Sequence, residues 1–192
     1  AWGASGIKIY EQLTERHVRA IADEARRQQL PVWSHAHVGP ATPRDVVDAR
    51  VTTMSHADYL VWAGRTGVAP LLVGRPAGMA QAITVVPAAS RAIADLLERM
   101  KGRGVMLEPT LYVGVQTASF AGDERAPLDR QVAYAAEVAA IAKKMGVTII
   151  AGTDALGGSS PNLHAELQLL VSRAGLTPLQ AIRAATFDAA RA

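Results

Sequence analysis

The feature that most constrains this chain is an alternation. Short β-branched runs, GIKIY (6–10), PVWSH (31–35), VTTMSH (51–56), GVMLEPT (104–110) and GVTIIAG (146–152), are separated by longer stretches with apolar residues at helical spacing. In LTERHVRAIADEARRQQ (13–29), Val18, Ile21, Ala22 and Ala25 fall on one stripe. SRAIADLLERMKG (90–102) stops at a glycine. LDRQVAYAAEVAAIAKKMG (128–146) carries Lys143 and Lys144 in its last turn, where cations complement the helix dipole. LHAELQLLVSRAG (163–175) and TPLQAIRAATFDAARA (177–192) follow, the second with Thr177 as cap and Pro178 at the first helical position. Strand–helix alternation with short loops predicts an α/β fold, a parallel sheet with helical crossovers. One interval is too long for a single βα unit. It holds GVAPLLVGRPAGMAQAITVVPAAS (67–90), a Gly/Pro-punctuated insertion that reads as a lid, or as a helix plus a loop.

Composition narrows the function classes. Twenty basic residues against 17 acidic leave a net charge of +3, and the arginines are scattered along helices rather than gathered in a stripe, so no nucleic-acid partner is expected. No run of 18 apolar residues and no charged leader before an apolar segment occur, so no membrane partner and a cytoplasmic location are expected. With no cysteine, any metal must take nitrogen and oxygen ligands. The start at strand-like GIKIY without methionine, and the stop inside a helical pattern at FDAARA, predict a segment of something longer.

Polar residues at strand ends carry the chemistry. Strands of a parallel sheet are covered on both faces and should be almost wholly apolar. Lys8, His35, His56 and Asp154 break that rule, each in or just after a predicted strand. Singly, a histidine there satisfies hydrogen bonds, Lys8 snorkels from an edge, and Asp154 caps the next helix. Together they would lie at one end of the sheet, where barrel active sites lie. Burying them unpartnered costs several kcal/mol, which a metal offsets. Tyr10, His37, Tyr59 and Tyr112 fall just past strand ends as candidate substrate contacts. Glu108, before Pro109, reads as a hydrogen-bonded loop anchor in preference to a substrate-facing group.

These pieces resemble the amidohydrolase superfamily, in particular its imidazolonepropionase-like and metal-dependent prolidase branch. The likeness runs through GASGIKIY (3–10), PVWSHAH (31–37), VTTMSHADYL (51–60), GVMLEPTL (104–111), GVTIIAGTDA (146–155) and LHAELQLLVSRAGLTPLQAIRAATFDAARA (163–192). It implies a partial (β/α)8 TIM-type barrel, strands four to eight, lacking the first strands and the flanking β-sandwich domain. Residues 1–192 would form the C-terminal part of a metal-dependent hydrolase barrel. The resemblance further implies one or two divalent metal ions, zinc foremost. Lys8 matches the fourth-strand lysine, often carboxylated to bridge two metals. His35 and His56 match the fifth- and sixth-strand ligands of the second metal. Asp154 matches the eighth-strand aspartate, which binds the first metal and shuttles the proton. His37 matches no primary ligand, and SHAH only imitates the family's first-strand HxH pair. His17 sits in a helical pattern and cannot replace that pair. His164 is placed as a supporting hydrogen-bonding group.

The reaction so implied is hydrolysis of an amide, peptide or cyclic C–N bond in a small-molecule or dipeptide-like substrate. The alternative is a truncated, catalytically incompetent barrel fragment that needs a complementary chain or pairs with itself. An open-sheet binding domain is the remaining reading, but LVGRPAG (72–78) is a poor match for a Gly-rich phosphate loop.

Overall fold

The structure is a computed structural model and describes residues 3–67, 75–156 and 162–192. Strands β1 (Ile7–Ile9), β2 (Val32–His35), β3 (Thr53–Ser55) and β4 (Met106–Glu108) pair in chain order, all parallel. Helices α1 (Glu15–Arg27), α2 (Pro43–Asp48), α3 (Pro76–Val85), α4 (Arg91–Arg103), α5 (Leu111–Phe120), α6 (Arg125–Met145), α7 (Asn162–Ser172) and α8 (Pro178–Ala185) fill the intervals, with a 3₁₀ segment over Ala57–Ala63. This is the alternating arrangement of a partial (β/α)8 barrel.

The fifth predicted strand shrinks to a bridge between Leu107 and Ile149. Leu107 N donates to Thr148 O and Ile150 N to Leu107 O, both at 2.9 Å. The next amide, Ala151 N, leaves the ladder and donates to Ala184 O of α8 at 3.1 Å, which ends the pairing. Within the insertion, α3 packs against α6 and the 3₁₀ segment, so its second half is a docked helix. Residues 68–74 of the insertion lie outside the described residues. Among the described residues no helix is long and apolar enough to cross a membrane.

The register sorts side chains onto two faces, because partners across a parallel pair point the same way. Lys8, Trp33, His35, Thr53, Ser55, Met106 and Glu108 share one face; Ile7, Ile9, Val32, Ser34, Met54 and Leu107 share the other. The second face meets the helices. Ile9, Val32, Met54 and Leu107 are buried in one cluster with Val18, Ala22 and Ala25 of α1, Val46 and Val47 of α2, and Leu96, Leu97 and Met100 of α4. Each large aliphatic side chain so buried contributes about 1.5–3 kcal/mol. The first face carries almost every ionisable strand residue. At its β1 end, Gly6 lies under Trp33: a Cβ there would come within 2.0 Å of the indole, so only glycine lets the ring cover the strand.

Candidate active site

The site forms where β1 to β4 end. Lys8 Nζ donates to Ser55 Oγ at 3.2 Å, and Ser55 Oγ donates to Glu108 Oε2 at 2.5 Å. The register aligns His35, Ser55 and Glu108 in a row across three strands, whereas Lys8, paired with Trp33, reaches Ser55 only by the length of its side chain. Burial holds the Lys8 amine below its ordinary pKa, against the opposing charges of Glu108 and Asp154. Glu108 is therefore part of the row, hydrogen-bonded as an anchor yet facing the same side as Lys8.

His35 and His56 meet edge to face, with ring centroids 4.4 Å apart. Tyr10 covers the other side of His35 at 4.4 Å. His56 Nδ1 lies 2.8 Å from Thr110 Oγ1, and its Nε2 lies 3.7 Å from Asp154 Oδ2. Burial, then the neighbouring His56 and Lys8, pushes His35 down to about 3. Burial, then Lys8, pushes His56 down to about 4. Both rings are thus neutral near pH 7, with lone pairs free to bind a cation.

The backbone around them is unusual. His56, Thr110 and Asp154 all have positive φ, at 72°, 55° and 46°. Non-glycine residues held in this region cost of order 1–3 kcal/mol each and cluster at functional sites. Here they aim three side chains at one point from three different loops.

Among the described residues, no three His, Cys, Asp or Glu side chains stand close enough together to hold a metal ion by themselves. The donor chemistry nevertheless suits a divalent ion. His35 Nδ1 is buried without a hydrogen-bond partner, an open nitrogen beside a second neutral imidazole and a carboxylate. His56 has the outer hydrogen bond, to Thr110, that orients a ligating imidazole.

A recess of about 260 Å³ opens beside His56 and Asp154. Tyr59, Leu111, Val113, Leu128 and Val132 give it apolar stretches of wall between polar ones. Asp58 and Gln131 also line it, joined by a 2.5 Å hydrogen bond. Burial pushes the Asp58 carboxyl up to about 6, with Gln131 opposing.

The other expected contacts fall elsewhere. The His37 ring packs against Trp62 at 5.6 Å, and neither His37 nor Tyr112 lines the recess. His164 is exposed on α7; the ionisable residue of that helix that turns inward, beside Leu170, is Glu166. Glu166 accepts from Leu111 N at 3.2 Å and Tyr112 N at 2.6 Å. Its signal in the sequence was a carboxylate four residues before Leu170, on a helix face that should be apolar. His17 serves the start of α1, where it completes a capping box with Thr14.

The comparisons with known proteins bear on the fold and the family. The chain is 27% identical over 183 residues to an ochratoxinase of Aspergillus niger, a match covering 94% of this chain and 31% of that protein. The chain thus spans about a third of the length of the curated relatives it matches. The crystal structure of A. niger ochratoxinase superposes with a TM-score of 0.67 at 25% identity, over 97% of this chain and 39% of that one. A Xaa-Pro dipeptidase with bound methionine (TM-score 0.68, 19% identity, 98% and 43% covered) shares the fold. So does a prolidase-type protein from Bifidobacterium longum (TM-score 0.67, 24% identity, 98% and 45% covered). The Amidohydrolase family profile matches residues 6–192, nearly the whole chain, and on that match the chain belongs to the amidohydrolase family.

Proposed function

We propose that this chain carries the catalytic end of a metal-dependent hydrolase of the imidazolonepropionase-like and prolidase branch, acting on an amide, peptide or cyclic C–N bond. The observation that carries the reading is the convergence of two neutral imidazoles and a carboxylate, His35, His56 and Asp154, at the strand ends. His35, His56 and Asp154 would hold a divalent ion, zinc foremost, only together with further donors, and that ion would supply an acidified water and a polarised carbonyl.

The chain's own residues do the rest. Asp154 stands at the mouth with its side chain 60% exposed, free to accept a proton from the attacking water and return it to the departing nitrogen. Lys8 is the residue for carboxylation: addition of carbon dioxide to its neutral amine, with release of one proton, would give an anionic carbamate able to ligate an ion. The Tyr59 side of the recess takes the substituent next to the scissile bond. His37 and Tyr112 would meet only a substrate reaching beyond that recess.

A second reading has one observation in its favour. The described residues lack a self-sufficient three-ligand cluster, so the remaining donors would come from a complementary chain.

Zinc-loaded protein assayed against Xaa-Pro dipeptides and N-acyl amino acids tests both. Hydrolysis of at least one, falling about 10²-fold or more in D154N, is the expected result. Turnover that D154N leaves unchanged contradicts the proton-transfer role. Turnover only after a complementary barrel chain is added selects the second reading.

A further inference from the structure

His56 and Thr110 hold each other from two different loops, and α7 underwrites the pair. Thr110 is the residue before α5, where a threonine hydroxyl ordinarily accepts a hydrogen bond from an amide of the first turn. It makes no such cap here. Its Oγ1 is 2.8 Å from His56 Nδ1 instead. The orphaned amides of Leu111 and Tyr112 go to the two oxygens of Glu166, reaching across from α7. Glu166 is fully buried and Thr110 is 5% exposed, so water cannot stand in for either bond.

A threonine with φ of 55° is costly, because its branched side chain crowds the left-handed conformation. That backbone persists only if its surroundings fix it, and Glu166 supplies two of the fixing bonds. On the other side of the imidazole, Nε2 is 3.7 Å from Asp154 Oδ2, beyond hydrogen-bond range. Nothing there demands an N–H.

We propose that Glu166 and Thr110 are positioning residues: Glu166 takes over the capping of α5, and the freed Thr110 hydroxyl accepts from His56 Nδ1–H, fixing that tautomer and turning the Nε2 lone pair toward Asp154. The use of that lone pair rests on the metal-hydrolase reading. The tautomer does not, since it belongs to the chain without any ion.

Long-range ¹H–¹⁵N correlation spectra of the metal-free protein near pH 7 read the tautomer directly, with H56N assigning the signal. The wild-type His56 is expected to show Nδ1 protonated and Nε2 bare. T110S should keep that pattern, whereas T110A and E166Q should both shift it toward a mixture of tautomers. L170A removes a fully buried side chain from the same helix as Glu166 and serves as the control for general destabilisation. It should leave the His56 pattern unchanged. A wild-type ring protonated on Nε2 overturns the proposal, whatever the variants do. So does an E166Q spectrum matching wild type, or an L170A spectrum shifted as far as E166Q. Calorimetric titration with zinc separates the two claims: the expected tautomer pattern in a protein that takes up no zinc keeps the positioning roles and removes the metal reading.

Discussion

Gly152 and Glu108 come so close that any side chain on the glycine meets the carboxylate. A Cβ there would lie 1.7 Å from Glu108 Oε1 and 2.4 Å from its Cδ, while Ser55 holds the other oxygen at 2.5 Å. G152A must push Glu108 off Ser55, and we expect it to lower unfolding stability by about 1–3 kcal/mol, the usual cost of overpacking. An unchanged urea midpoint contradicts that close approach. Glu166 gives a prediction with a pH sign. Burial raises its carboxyl from 4.5 to about 7, against the two backbone bonds. Between those values the folded chain keeps a proton that the unfolded chain has lost, so the contribution of Glu166 to stability is full below about pH 4.5 and is lost as pH rises through 7, while the lowered His35 and His56 contribute with the opposite sign. E166Q should remove that decline. It should also cost about 1–3 kcal/mol at low pH, because its amide nitrogen leaves one buried backbone N–H without an acceptor. Both are read from urea unfolding at several pH values, and a difference between wild type and E166Q that is flat from pH 5 to 8 contradicts the shift. At this scale the sequence showed Lys8, His35, His56 and Asp154 because ionisable groups at strand ends violate the apolar rule. It hid Thr110, a hydroxyl with no charge to mark it, and the role of Glu166, which depends on a partner 55 positions away.

At the scale of elements, four of the five strands and the long amphipathic helices were legible and the short helix α5 was not. Ser90 precedes α4 as the sequence suggested, but the helix runs through Gly102, where the pattern was read to stop, and ends at Gly104 with φ 70°. α6 begins at Arg125, earlier than the sequence pattern indicated, because Pro127 falls in a first turn whose amides need no helical partner. α5 escaped notice: LYVGVQTASF is rich in residues of low helix propensity, and it is helical because it packs on α6 and α7. The final helix was legible through its cap. Thr177 Oγ1 accepts from Gln180 N at 3.2 Å, and Gln180 Oε1 accepts from Thr177 N at 2.9 Å. T177A should cost about 1 kcal/mol of stability, seen as a lower urea midpoint with an unchanged slope. No change would mean that α8 is held by packing alone.

Across the whole molecule, one face of the sheet is core and the other is chemistry, and the parallel register is what separates them. Among the described residues β1 pairs only with β2, leaving a row of backbone groups open along the sheet's edge. Such an edge seeks a partner strand, so light scattering should show association that grows with concentration. A strictly monomeric chain at all concentrations contradicts this. The central claim is that His35 and His56 are ligands and not merely buried, hydrogen-bonded histidines. The most direct test is the zinc content of the purified chain, measured by inductively coupled plasma mass spectrometry after loading and exhaustive dialysis. At least one equivalent is expected to be retained in the wild type and lost in the H35N/H56N double variant while that variant remains folded. A wild type that retains none, or a double variant that retains as much, contradicts it.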